Sequence, residues 1–114
     1  MTKEEKIREE LERISRYFEN VDENQRAIVT PLLQNAAFMK VTLEDLQDII
    51  NKEGVTETYQ NGANQRGIKQ SATLQSYNSL IKNYASVIKT LSQLLPKQER
   101  VNAFESLLDK LGID

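Results

Sequence analysis

Apolar residues recur along most of this chain at alternating steps of three and four, the spacing that places them on one face of a helix. Ile7, Leu11, Ile14, Phe18 and Val21 form the first such stripe. It is preceded by Thr2 and Glu5 at capping-box spacing, where the two side chains can satisfy amides that a first turn leaves unpaired. Asp22 and Gln25 offer a second start. The stripe that follows is Val29, Leu32, Ala36, Met39, Leu43, Leu46 and Ile50, with Phe38 and Val41 off the main seam, which predicts a helix buried on two sides. Pro31 implies either a kink or a fresh start capped by Thr30. Gly54 is expected to end the helix as a left-handed C-cap.

A third helix is expected from Ser71 or Ala72, with Tyr77, Leu80, Tyr84, Val87, Leu91 and Leu94 as its seam and Pro96 as its stop. A short last helix begins near Lys97, striped by Val101, Phe104, Leu108 and Leu111 and ended by Gly112. No stretch alternates as a half-buried strand would. The expected fold is therefore all-α. Residues 1–21 form an N-terminal amphipathic helix, and 22–95 form a long antiparallel helical hairpin whose connection, 55–71, is a polar loop. Residues 96–114 complete a single domain with a short C-terminal helix.

Composition narrows the chemistry. The 114 residues include neither Cys nor His, so thiolate nucleophiles, imidazole bases and the usual zinc ligands are missing together. No enzyme, metal or cofactor is read from such a chain. With seven aromatics and no Trp, its core is thin and aliphatic, which favours completing burial in a homo-oligomer. The expected oligomer surface is Ile7, Leu11, Ile14 and Phe18 together with Phe38 and Val41. The N-terminus is charged from Lys3 onward and no apolar run reaches membrane-spanning length, so neither a signal peptide nor a membrane partner is expected.

Charge is distributed unevenly. The chain as a whole carries −2, yet no acid occurs between Glu57 and Glu99, where Arg66, Lys69, Lys82, Lys89 and Lys97 stand. Such a local basic surface suits a polyanion without general stickiness, so Arg66, Lys69, Lys82 and Lys89 are the candidate nucleic-acid contacts. Two other motifs read as ordinary surface. Gly62 to Ser71 resembles a phosphate-binding loop, but Ile68 separates Gly67 from Lys69 and no strand is expected before it. Glu44, Asp45 and Asp48 cluster on the second helix without a His or third convergent acid, as a solvated face does.

The order and spacing of several segments resemble the small subunit of bacteriophage terminases, in the group from phages of Gram-positive bacteria. These segments are Leu32-Leu-Gln-Asn-Ala-Ala-Phe-Met39, Thr42-Leu-Glu-Asp-Leu46, Gly54-Val55, Tyr59-Gln-Asn-Gly62, Asn64-Gln-Arg-Gly67, Tyr77, Ile81-Lys-Asn-Tyr84 and Leu94-Leu-Pro96. The resemblance implies a non-enzymatic subunit that assembles with itself into a ring and binds double-stranded DNA at a packaging site. It would recruit a terminase large subunit bearing the ATPase and nuclease, in the cytoplasm of a bacterial host. The chain departs from the family in lacking a Gly before Leu94-Leu-Pro96 and in having no short helix-turn-helix at its start. The alternative reading is a helical protein-interaction adapter that does not touch DNA.

Overall fold

In a computed structural model, residues 1–95 are described, together with Glu105, Asp109 and Gly112. The short helix expected from Lys97 falls, apart from those isolated positions, outside the described residues. The element order is α1 (Lys3–Ser15), a 3₁₀ turn (Arg16–Phe18), α2 (Glu23–Glu53), β1 (Thr56–Gln60), β2 (Arg66–Gln70) and α3 (Ala72–Leu94). No helix among the described residues is long and apolar enough to cross a membrane.

Short polar side chains start each helix. The Thr2 hydroxyl accepts from the Glu5 amide at 3.1 Å, Asp22 Oδ1 from the Gln25 amide at 2.7 Å and Ser71 Oγ from the Leu74 amide at 3.0 Å. Each bond satisfies one donor that a first turn would leave orphaned. In the first box the carboxylate of Glu5 accepts the Thr2 hydroxyl proton instead of reaching the Thr2 amide. The first helix is shorter than its apolar stripe. Its α-helical part stops at Ser15, and the 3₁₀ turn carries Phe18 inward, so that Phe18 and Val21 still join the core.

α2 runs unbroken for 31 residues, with Pro31 inside it. Of the two expectations for Pro31, a kink or a fresh start capped by Thr30, the fresh start does not occur. The Thr30 hydroxyl donates to the Arg26 carbonyl at 2.8 Å, a bond made within the helix and not a cap on a second one. At 1.5 Å per residue, α2 is about 46 Å long and forms the spine of the molecule. α1 and α3 both pack on it. α3 returns antiparallel: Gln47 Nε2 donates to the Tyr77 hydroxyl at 3.0 Å, while further along Leu33 shares a cavity wall with Leu91.

The core lies at one end of this arrangement. Ile14, Phe18, Val21, Val29, Leu33, Ala36, Ala37, Leu91 and Leu95 are buried together, and Val29 and the two alanines are essentially without solvent contact. Small residues at 36 and 37 let neighbouring backbones approach closely, which a thin aliphatic core requires to reach normal packing density.

The connection between α2 and α3 corrects the all-α expectation. Residues 55–71 are not a polar loop but contain a two-stranded antiparallel sheet, paired in register from Thr56↔Gln70 to Gln60↔Arg66. Gly54, at φ 85°, ends α2 and turns the chain into β1. Its ψ of −174° is an extended, glycine-only geometry and not the left-handed helical cap expected there. Gly62, at φ 76°, turns the chain back in the tip, where the Asn61 amide donates to the Gln65 carbonyl at 2.8 Å. Thr and Tyr in β1 favour a strand, and Asn61-Gly62 is a turn dipeptide. Because both faces of the hairpin meet solvent, no apolar alternation marks it in the sequence.

Candidate nucleic-acid interface

The four basic residues expected to contact nucleic acid do not form one surface. Lys82 and Lys89 lie on the exposed face of α3, seven residues and about 10.5 Å apart along its axis. Around them Gln75, Asn78, Ser79, Ala85, Ser86, Ser92 and Gln93 are also exposed. The strip is smooth and uncharged except for the two ammonium groups. Among the described residues neither lysine is in an ion pair.

Arg66 and Lys69 sit on β2, and side chains alternate across a strand. Three positions apart, they project from opposite faces of the hairpin and cannot follow one phosphate track. Lys69 also faces Glu57 across the ladder, with Nζ 3.3 Å from the carboxylate. The acid-free stretch in sequence is therefore not acid-free in space, because its first flanking acid folds back onto it. Arg66 shares its face with Gln60 and with Ile68, which is 72% exposed. On the other face the Tyr59 ring covers Gly67, where an added Cβ would come within 2.6 Å of the tyrosine hydroxyl. The segment resembling a phosphate-binding loop thus has Gly67, Ile68 and Lys69 inside a strand, not in a loop wrapped around a helix start.

The residues expected at an oligomer surface are placed mainly inside the chain. Ile14, Phe18 and Val41 are buried, Ile7 and Leu11 are half-buried against the core cluster, and Phe38 is 50% exposed. The α1 stripe is covered by α2 of the same chain. Over the Phe38 ring stands Lys3, whose ammonium lies 4.9 Å from the ring centroid and 3.7 Å from Asp45. That contact removes Asp45 from any free carboxylate cluster with Glu44 and Asp48.

One charged group was not singled out by spacing. Glu10 is buried at the α1–α2 contact, held by Arg13 Nε on its own helix and by Lys40 Nζ of α2 at 2.8 Å. Desolvation alone would raise its pKa, but the two hydrogen bonds and the charges behind them outweigh it, and the net displacement is below the usual carboxylate range. Burial pushes the neighbouring Tyr84 phenol upward, so it stays neutral. The network ties α1 to α2, and Arg13 and Lys40 keep part of their side chains in solvent at the rim of a shallow open cleft that Glu9 and Glu44 also line. The network's only sequence signal is a Glu replacing an apolar residue beside the stripe, and Lys40 is thirty residues away.

Comparison with known protein families, curated proteins and solved structures finds no match to this chain.

Proposed function

We propose that the chain is the non-catalytic, DNA-recognition subunit of a phage genome-packaging terminase. It would act as a homo-oligomer that binds double-stranded DNA and hands it to the large ATPase and nuclease subunit. The family part of this reading rests on the sequence resemblance. The observation that supports DNA binding is the α3 strip around Lys82 and Lys89, two cations that form no ion pair among the described residues and stand among neutral side chains. A phosphate backbone can lie close to such a strip because α3 itself carries no acid and the exposed side chains around the two lysines are neutral. Two phosphate contacts per subunit are weak, and non-specific binding of this kind reaches only about 10⁻⁴–10⁻⁶ M at physiological salt. Assembly would add the contacts of several subunits and raise the affinity without any new chemistry.

Fluorescence anisotropy on a labelled duplex, repeated across a salt series, tests the reading. Lys82→Glu with Lys89→Glu is expected to abolish binding and leave helicity and oligomer mass unchanged. Adding Arg66→Glu to either single variant should weaken it further. Lys69 is left intact because reversing it would place two acids across the hairpin. Wild-type affinity and salt slope in the double variant would remove the DNA reading. The adapter alternative, for which the exposed Ile28 and Phe38 speak, would then stand.

A further inference from the structure

The hairpin between α2 and α3 has a feature that its role as a connector does not require. Among the described residues no further strand pairs with either of its edges, and the two strands carry opposite charge. Val55 and Ser71 are hydrogen-bonded across the base, as are Asn61 and Gln65 at the tip. In an antiparallel ladder bonded and non-bonded pairs alternate, so the inward-facing backbone groups are those of the odd-numbered residues. The backbone N–H and C=O of Thr56, Thr58 and Gln60 on β1, and of Arg66, Ile68 and Gln70 on β2, therefore point outward on opposite edges. The register has no bulge, neither strand contains Pro, and a two-stranded sheet on its own is marginal in water. These are the properties of edges that another strand can extend.

We infer that the hairpins of neighbouring copies join edge to edge, the β2 edge of one copy pairing antiparallel with the β1 edge of the next. The partition of charge selects this arrangement. β1 carries Glu57 and no base, and β2 carries Arg66 and Lys69 and no acid. Pairing β1 with β1 would bring two Glu57 carboxylates together on one face, and pairing β2 with β2 would do the same to Lys69. Pairing β2 with β1 places Lys69 beside the next copy's Glu57. It continues the Glu57–Lys69 contact already made within the hairpin into an alternating row. Like charges facing across strands destabilise a pair and opposite charges support it. A head-to-tail contact of this kind closes into a ring when the rotation between copies divides a full turn. Closure leaves no edge open. The inference rests on the reading that the chain assembles with itself, and it names the surface that does so.

Single-cysteine variants test it directly, since the chain has no cysteine of its own. Thr56→Cys, Thr58→Cys and Gln60→Cys mark three registers of the β1 edge, and Ile68→Cys marks the β2 edge on the same face. Mild oxidation of each variant alone should give no cross-link. Equivalent positions of adjacent copies would lie two strand spacings apart, about 10 Å, beyond disulfide reach. One of the three mixtures with Ile68→Cys should give a dimer band. In parallel, Thr58→Pro removes an outward N–H without breaking the inner ladder and should lower the oligomer mass. Glu57→Lys should lower it too, with recovery when Lys69→Glu is added. A cross-link in any variant alone would mean like-edge pairing and overturn the proposal. A multimer of unchanged mass with no cross-link in any mixture would overturn the hairpin as its interface, with self-assembly intact. A monomer in light scattering at tens of micromolar would overturn both.

Discussion

The two ends of the α2 spine differ in kind. At the α1 end three helices converge on a shared cluster of buried side chains, with Phe18 and Val21 brought in by the 3₁₀ turn and Glu10 clamped between Arg13 and Lys40. At the hairpin end only α2 and α3 remain. Leu46, Ile50, Leu74 and Tyr77 are half-buried there, and both strands face solvent. The first end has the burial that makes a fold stable. The second offers backbone, charge and exposed apolar groups. A single short chain can thus separate the part that holds it together from the part free to meet something else.

The largest effect should come from truncating the buried end. Phe18→Ala is expected to cost about 3–5 kcal/mol, whereas Leu74→Ala at the half-buried end should cost less than half as much. Comparable losses in urea denaturation would erase the distinction between the ends. It also follows that charged replacements of Leu11 or Phe18 unfold the chain instead of merely separating subunits, to be read by circular dichroism.

Glu10 sharpens the comparison through pH. A carboxyl whose folded-state pKa is depressed stabilises the fold above its unfolded value, and that contribution is lost as pH falls through the folded value. The denaturation midpoint should fall on acidification below the ordinary carboxylate range. Glu10→Gln should flatten that limb and remove about 1.5–3 kcal/mol at neutral pH, the worth of hydrogen bonds to charged groups. An unchanged acid limb in the variant would assign the pH dependence to other carboxylates.

At the hairpin end, Tyr77→Phe removes the bond from Gln47 and should cost only about 0.5–1 kcal/mol, because both groups are exposed enough to find water. The smallest change is expected at Thr42, whose Oγ1 is buried without a hydrogen-bond partner among the described residues. Thr42→Val should be neutral or slightly stabilising in a thermal melt, since it deletes an unsatisfied group and keeps the shape. A clear loss there would show that the hydroxyl has a partner.

These contrasts also mark how far the sequence could be read. Helix starts at Thr2 and Asp22 were legible because capping is local chemistry within four residues, and the third start was legible to within one residue, at Ser71 or Ala72. The apolar stripes were legible because a helix buried on one side must repeat every three or four positions. What covers a stripe is not local: Leu11, Ile14 and Phe18 show that a face is buried, and only the fold shows that α2 of the same chain does it. The hairpin was missed because strand patterning depends on one face being dry, and neither face is. Its available signals were the strand-favouring Thr56, Thr58 and Tyr59 followed by the turn dipeptide Asn61-Gly62. Glu57 and Lys69 were assigned to different charge regions because twelve residues separate them along the chain, and the register makes them neighbours. Lys82 and Lys89 needed no such folding back, since seven residues on a helix return to the same side by geometry alone.

Ala36 and Ala37 have a mechanical consequence. They set the separation of the helices near the middle of α2, and Glu53 lies about 24 Å further along the same rod. A rotation of only a few degrees at that contact would swing the far end by roughly 2 Å, about half the distance between adjacent strands. The alanines act as a fulcrum with the hairpin on the long arm. A methyl group exchanged for a larger side chain there would be felt most at the tip, where almost nothing is buried.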